Sequence, residues 1–408
     1  MEFNWARSHE YGAARLARPS TVDEARELVA GADRVRALGT RHSFTGIADT
    51  TGLLLATGGL PADLVLDESD RSVTVGAGAR YGEVAVELDA RGWALATMAS
   101  LPHISVAGAV ATGTHGSGDR TGSLAAGVRA LEVIGPDGAL RRVARGEPDF
   151  PGSVVALGAL GVVTRVTLDV EPSYVVRQAV YRDLPWSLAS TSLDALTGAA
   201  YSVSLFLDWG TDRIAQVWLK SRGELPEALF GVAAADEPVH MLAGATTEAV
   251  TGQQGVPGPW HERLPHFRLA FTPSRGEELQ SEYLVPRGSV QEAFASLRPL
   301  GPRISRVLQI SEIRTVAADD LWLSGAYGTD VVGIHFTWVK DAESVYALLP
   351  DIEAALLPLG ARPHWGKCFA TTDVAGLYPR MADFRALRAR VDPTGKFGNS
   401  MVDRLLGG

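Results

Sequence analysis

Apolar and polar positions alternate along this chain in two textures that meet near residue 171. Before that point, short apolar runs end on glycine and give way to helical patterns. Thr21 caps a first helix, Glu24 completes a capping box, and the pattern runs to about Ala32. Residues 34–38 read as a strand that turns at Gly39. Residues 53–57 and 72–75 read as further strands, separated by a polar turn at 67–71. Gly76-Ala77-Gly78-Ala79 then leads into a helix over 81–91, with Val84, Val86 and Leu88 among its apolar positions. Residues 128–134 and 139–143 form a hairpin around Gly135-Pro136-Asp137-Gly138, and a strand over 162–170 follows Leu157-Gly158-Ala159-Leu160-Gly161. Glu171-Pro172-Ser173 marks the change. Beyond it, strands carrying aromatic residues are expected at 202–208, 213–221, 303–316 and 331–340, with a hairpin turn at 208–212. Helices are expected at 289–297, 342–357 and 381–391. The second region thus reads as an antiparallel sheet covered by helices.

Two stretches stand out against this pattern. Gly39-Thr40-Arg41-His42-Ser43-Phe44 places a charge, an imidazole and a hydroxyl just past a glycine turn. A glycine there lets backbone approach a ligand closely. The loop reads as holding a phosphorylated redox cofactor to which His42 is bonded. Ser105 to Gly118 is a run of almost entirely small side chains ending Gly113-Thr114-His115-Gly116-Ser117-Gly118. Such a run cannot build a core alone and lacks the charge of a solvated linker, so it reads as backbone packed against a large flat ligand.

Composition narrows the function. The 408 residues allow two or three domains, and 46% hydrophobic content supports large cores. With 38 Lys and Arg against 47 Asp and Glu the net charge is −9, which argues against nucleic acid as a partner. The longest apolar stretch, around 154–163, is too short and glycine-broken to span a membrane. The start Met-Glu-Phe-Asn-Trp lacks the form of a signal peptide, and Cys368 is the one cysteine. Internal disulfides and cysteine-based metal clusters are therefore excluded, and a cytoplasmic protein is expected. Seven of the nine tryptophans follow residue 171 and are expected to pack the core of the second region.

Taken together, Gly39-Thr40-Arg41-His42-Ser43, Gly76-Ala77-Gly78, Ser105-Val106-Ala107-Gly108-Ala109 through Gly116, Gly158-Ala159-Leu160-Gly161 and Asp392-Pro393-x-Gly395-x-Phe397-x-Asn399 resemble the vanillyl-alcohol-oxidase family of flavoproteins, of the PCMH type. Arg41-His42-Ser43-Phe44, Ala99-Ser100-Leu101-Pro102-His103-Ile104-Ser105, Glu312-Ile313-Arg314, His335-Phe336-Thr337 and His364-Trp365-Gly366-Lys367 are most similar to its alditol oxidases. The resemblance implies an α+β, two-domain flavoprotein: an FAD-binding domain over 1–171, an antiparallel-sheet substrate cap over 172–375, and a C-terminal segment, 376–408, returning to the first domain. It implies FAD held by Gly39, Thr40, Arg41, His42, Ser43, Ala99, Ser105, Gly108, Gly113, Thr114, His115, Gly116, Gly161, Val162 and Asn399. A single covalent link is expected, from His42 to the flavin 8α carbon, since no cysteine lies near the flavin loops. Ala99 matches a position that gates oxygen in relatives, so Ala99→Gly is expected to alter oxygen reactivity and not alcohol binding.

Strand periodicity agrees with a site. Residues i and i+2 share a face, so Glu312 points with Arg314 and His335 with Thr337, while Ile334, Phe336 and Trp338 fill the other face. Trp365 and Lys367 alternate likewise if that segment is extended. Alone, Glu-x-Arg is an ordinary surface pair and a histidine in a strand is usually a core group. Convergence of the three segments beside a flavin-type domain favours a site. The implied reaction removes a hydride from a terminal carbinol carbon to flavin and a proton to a base, with oxygen reduced to hydrogen peroxide. His335 is the expected base, with Lys367 hydrogen-bonded to the same oxygen. Either Arg314 or Lys367 would stabilise negative charge on the reduced flavin. Glu312 and Arg314 are expected to hold vicinal hydroxyls, and Ser100, Thr337 and Lys367 to add substrate contacts. The expected partners are a polyol (xylitol, sorbitol or glycerol) and oxygen, acting on a monomer, with no metal.

The nearest alternative is a sugar-lactone oxidase or dehydrogenase, and one of another class is a non-catalytic flavin- or sugar-binding protein. A zinc hydrolase built on His103 and His115 lacks ligand spacing. A nicotinamide enzyme lacks a strand running into G-x-G-x-x-G with an acid about 20 residues on.

Overall fold

A computed structural model describes residues 2–271 and 276–407. Three parallel strands, Arg15–Ala17, Val35–Leu38 and Leu53–Ala56, form a small sheet with Leu53–Ala56 in the middle. The helix Val22–Ala30 covers it through Ala25 and Val29, and Thr21 caps that helix by accepting from the Glu24 N–H. A five-stranded antiparallel sheet follows, in the order Leu64–Asp67, Ser72–Gly76, Val162–Asp169, Val128–Ile134, Leu140–Ala144. The small-residue run is partly a short helix, Val106–Ala111, preceded by Ser105, whose N–H donates to Thr40 Oγ1 at 3.0 Å.

Eight of the strands between Val175 and Pro363 build an antiparallel sheet, and Ala228–Leu229 and Val232–Ala233 pair apart from it. Its order is Gly258–Pro259, Val175–Pro185, Arg213–Ser221, Ser202–Leu207, Leu308–Val316, Val331–Val339, Glu278–Pro286, Arg362–Pro363. One face packs on the helices Val290–Leu297 and Ala342–Leu356, where Ile334, Phe336, Phe294 and Ile352 are buried. Phe336 stacks on Trp338 with centroids 4.9 Å apart. Trp209, Trp218, Trp260, Trp338 and Trp365 are all fully buried. The opposite face looks toward the first two sheets.

Several expectations are corrected. The strand expected over 303–316 begins only at Leu308, because Pro302 sits in the first turn of a short helix, Gly301–Ile304. The segment carrying Trp365 and Lys367 is a turn, with the Lys367 N–H donating to the His364 carbonyl at 3.0 Å. Two long strands had no sequence expectation: Val175–Pro185 and Glu278–Pro286.

The end of the chain lies against the first sheet. The Val35 N–H donates to the Lys396 carbonyl at 2.9 Å, and Lys396 Nζ donates to the carbonyls of Val29 and Pro136 at 2.8 and 2.7 Å. Buried Arg36 donates to the carbonyls of Ile47, Leu157 and Phe397, joining three distant segments. Among the described residues, no helix is long and apolar enough to cross a membrane.

Candidate active site

Strand register assembles the polar cluster. Phe206 lies opposite Glu312, Glu312 opposite His335, and His335 opposite Glu282, so one row of four strands presents three titratable side chains to the same face. Arg314 lies opposite Gly333, whose missing side chain leaves room for the next layer. A Cβ at Gly333 would come within 2.9 Å of Glu282 Oε1. Lys367 reaches the same point from the turn after Arg362–Pro363. That turn also meets the first domain: the Phe44 N–H donates to the Gly366 carbonyl at 2.9 Å.

Glu282 is the hub. Its side chain has no solvent exposure. It accepts from Arg314 Nη2 at 2.8 Å and Lys367 Nζ at 2.5 Å, with His115 Nε2 at 3.2 Å and His335 Nδ1 at 3.7 Å. Burial by itself raises its pKa, but Arg314, Lys367 and His115 outweigh it and hold the carboxyl well below the usual range. Sequence reasoning missed it, because Glu278-Leu-Gln-Ser-Glu-Tyr reads as a polar surface when Glu278 and Gln280 are in fact half-buried and Glu282 is fully buried. The remaining signal was the tail Tyr283-Leu284-Val285.

His335 Nδ1 lies 2.8 Å from Lys367 Nζ and Nε2 lies 3.0 Å from Thr337 Oγ1. Burial, then Lys367, lowers its pKa to about 4, so the ring is neutral. Burial also lowers the pKa of Lys367, opposed by Glu282. Glu312 accepts from His266 Nε2 at 2.7 Å and pairs with Arg314 Nε at 3.5 Å. Burial raises its pKa, yet Arg314 and His266 hold it below the usual range. Arg314 Nη1 also donates to Ser100 Oγ at 3.3 Å.

These groups form one wall of a cavity of about 630 Å³, within the range of small-molecule sites. The facing wall is Gly39 through Phe44, with Ala99, Ser105, Gly108, Thr114, His115 and Gly161. A Cβ at Gly39 would collide with Ser105 Oγ, which keeps this wall flat. His42 stacks on Trp5 with centroids 5.3 Å apart, and burial lowers its pKa to about 4. Its Nδ1 is buried with no hydrogen-bond partner among the described residues.

Four expected cofactor residues do not line the cavity. Val162 packs in a small core with Phe397, and Gly113 closes the Val106–Ala111 helix with φ +67°. A Cβ at Gly116 would strike the Met98 carbonyl and the Thr97 hydroxyl, so it serves close packing. Asn399 donates to the carbonyls of Gly46 and Asp49 at 3.0 and 2.7 Å and caps the helix Ser400–Leu406, bracing the loop after His42 instead of facing the cavity. His103 bonds to the Leu269 carbonyl at 2.9 Å, apart from His115. Ligand atoms of His115, Glu282 and His364 lie within 4.8 Å of one another, but Arg314 and Lys367 already occupy the carboxylate and repel a cation.

A cavity with a small-residue wall and a buried imidazole nitrogen without a hydrogen-bond partner among the described residues fits a large planar cofactor, and known proteins agree. Residues 13–144 match the FAD binding domain family, and residues 271–405 match D-arabinono-1,4-lactone oxidase. Cholesterol oxidase from B. sterolicum shares the fold, with a TM-score of 0.77 at 16% identity over 99% of this chain and 96% of that one. The chain belongs to the vanillyl-alcohol-oxidase family of FAD-dependent oxidoreductases. It is 48% identical to an alditol oxidase of Streptomyces sp. over 99% of both chains. It is 28% identical to L-gulono-1,4-lactone dehydrogenase of Mycobacterium tuberculosis over 99% of this chain and 98% of that one.

Proposed function

We propose that this protein oxidises the terminal primary alcohol of alditols such as xylitol, sorbitol and glycerol to the aldehyde, with oxygen reduced to hydrogen peroxide. The observation that carries this reading is the row Glu312–His335–Glu282 with Arg314, Lys367 and Thr337 beside it, facing the Gly39–Phe44 wall across one cavity. Such a wall offers both hydrogen-bond acceptors and donors at short spacing, which suits a chain of vicinal hydroxyls. FAD, held against the Gly39–Phe44 wall, would supply the acceptor for the carbinol hydride and the carrier of two electrons to oxygen.

The residues supply the rest. Glu312 accepts from one substrate hydroxyl and Arg314 donates to its neighbour, with Ser100 and Thr337 meeting further hydroxyls. Lys367 and His335 act as one proton-accepting pair. With Lys367 charged, its ammonium donates to His335 Nδ1, and Nε2 carries the ring proton toward Thr337. With Lys367 neutral, Nδ1–H donates to the amine and the Nε2 lone pair is free to take the substrate proton. Glu282, near Nδ1, then stabilises the imidazolium. Base assistance of this kind contributes about 10²–10⁴-fold. Ala99 lines the same cavity and is assigned the oxygen-gating role, tested by the oxygen rate of Ala99→Gly.

His42 is assigned a single covalent bond to the flavin, supported by its unpartnered nitrogen on the cavity wall. Acid precipitation of the wild type should leave yellow flavin in the pellet, and His42→Ala should release it. Free flavin from the wild type would remove the assignment. The substrate is tested by peroxide formation from xylitol, sorbitol, glycerol and gulonolactone. Preference for the lactone would favour the second reading, a sugar-lactone oxidase, which the match of residues 271–405 supports.

A further inference from the structure

We propose that Lys220, acting through His266, is a positioning residue for substrate binding: it fixes the ring proton of His266 on Nε2 and so keeps Glu312 a purely accepting carboxylate. The role given to Glu312 rests on the polyol reading above.

Lys220 lies on the Arg213–Ser221 strand, two strands from Glu312 in the same sheet, and is almost fully buried. An ammonium has three protons and no acceptor. Here the three protons meet three partners: the Leu264 carbonyl at 2.5 Å, the Pro265 carbonyl at 3.1 Å and His266 Nδ1 at 3.0 Å. Burial lowers the Lys220 pKa to about 7, and in the ammonium form that prevails below that pH Nδ1 must accept. A neutral imidazole with Nδ1 accepting carries its proton on Nε2, which lies 2.7 Å from Glu312 Oε1. The Lys220 ammonium at one end and the Glu312 carboxylate at the other impose the same polarity on the ring between them.

The ring cannot easily reverse this arrangement by rotation. It sits edge-on to Trp218 and Phe206, with centroids 5.1 and 5.5 Å away. Its backbone is held on both sides: the His266 N–H donates to the Ser100 carbonyl at 3.0 Å, and the Thr251 N–H donates to the His266 carbonyl at 2.9 Å. Burial, then Lys220, lowers the His266 pKa to about 4, consistent with a neutral ring. One oxygen of Glu312 is thus occupied by His266, and the other is left to Arg314 and the cavity.

Removing the ammonium frees Nδ1. The ring proton can then move to Nδ1, which leaves the Nε2 lone pair facing the Glu312 carboxylate. Glu312 must then turn away or become protonated, and in either form it is a poorer acceptor for a hydroxyl.

The test combines two readouts on the holoenzyme. Nitrogen-15 NMR of labelled histidine below pH 7, where Lys220 is charged, with His266→Gln to assign the signal, should show an Nε2–H tautomer in the wild type and an Nδ1–H tautomer in Lys220→Met; an imidazolium in Lys220→Met, which still donates from Nε2 to Glu312, overturns the inference. Steady-state kinetics with xylitol should show KM raised about tenfold or more in Lys220→Met, with a smaller change in kcat and unchanged flavin content. Lys220→Arg, which keeps a charged donor, should recover part of the loss. In a His266→Gln background the glutamine amide can donate to Glu312 without Lys220, so adding Lys220→Met should change KM less than about twofold. An Nδ1–H tautomer in the wild type overturns the inference, as does a Lys220→Met effect that multiplies with that of His266→Gln. The wild-type tautomer decides the point even where Lys220→Met does not fold. A wild type that oxidises no polyol overturns the substrate reading and the role of Glu312, while the tautomer still reports whether Lys220 sets the proton on His266.

Discussion

In the proposed mechanism His335 and Lys367, 2.8 Å apart, act as one proton-accepting pair, and that pairing sets how the rate should depend on pH. The base-competent form needs Lys367 neutral, and burial lowers the Lys367 pKa from its ordinary value. Flavin reduction should therefore quicken as pH rises and level off below about 10.5. His335 itself is pushed down to about 4, so it adds no limb near 6.5. Rapid-mixing measurements across pH check this, and a single limb near 6.5 that disappears in His335→Ala would contradict it. Glu282→Gln removes the group that holds the proton on Lys367, so the limb should move to lower pH in that variant. The same substitution leaves Arg314 and Lys367 buried with a weaker partner and should cost roughly 3–5 kcal/mol of stability. Because the folded-state pKa of Glu282 is depressed, its stabilisation is present above the ordinary carboxylate range and is lost as pH falls below it. Glu312→Gln should raise KM for xylitol by about 10- to 100-fold, the cost of a charged hydrogen bond. An unchanged KM would remove Glu312 from substrate binding.

At the scale of elements, the site depends on three adjacent strands in fixed register. Glu312, Arg314, His335 and Thr337 could be placed on one face from periodicity alone, because their neighbours Ile313, Ile334, Phe336 and Trp338 are apolar and alternate with them. The third strand, Glu278–Pro286, was not legible. A face made of half-buried Gln280 with buried Glu282 and Leu284 begins with the pattern of an exposed one, and only the tertiary partners of Glu282 distinguish the two. Lys367 was legible as a residue and not as geometry, since it arrives on a turn and not on a strand. Gly333 is the structural counterpart of this arrangement. Gly333→Ala would press a methyl group on Glu282 Oε1, which Arg314 and Lys367 hold in place. The expected result is a loss of about 1–3 kcal/mol in thermal unfolding together with a higher KM for polyol. Wild-type stability and kinetics in that variant would show that the cluster is less constrained than its hydrogen bonds imply.

Over the whole molecule, the cavity joins a flat wall from the first region to a polar wall from the second. Glycine spacing around residues 39, 108 and 161 made the first wall readable, because glycine-rich turns beside apolar strands have few other uses. The buried charges behind the second wall were not readable, because Lys220 and His266 lie in segments with no motif and acquire meaning only through Glu312. Arg36 ties three parts of the first region together, through the carbonyls of Ile47, Leu157 and Phe397. Arg36→Met would leave these carbonyls buried and unpaired at about 1–3 kcal/mol each. Lower flavin content and a lower unfolding temperature should appear together in that variant. The central claim is tested most directly by mixing the purified yellow protein with xylitol in the absence of oxygen and following the flavin absorbance. The predicted result is bleaching by xylitol that returns to yellow when oxygen is admitted. Persistent yellow colour with xylitol, alongside bleaching by gulonolactone, would contradict it.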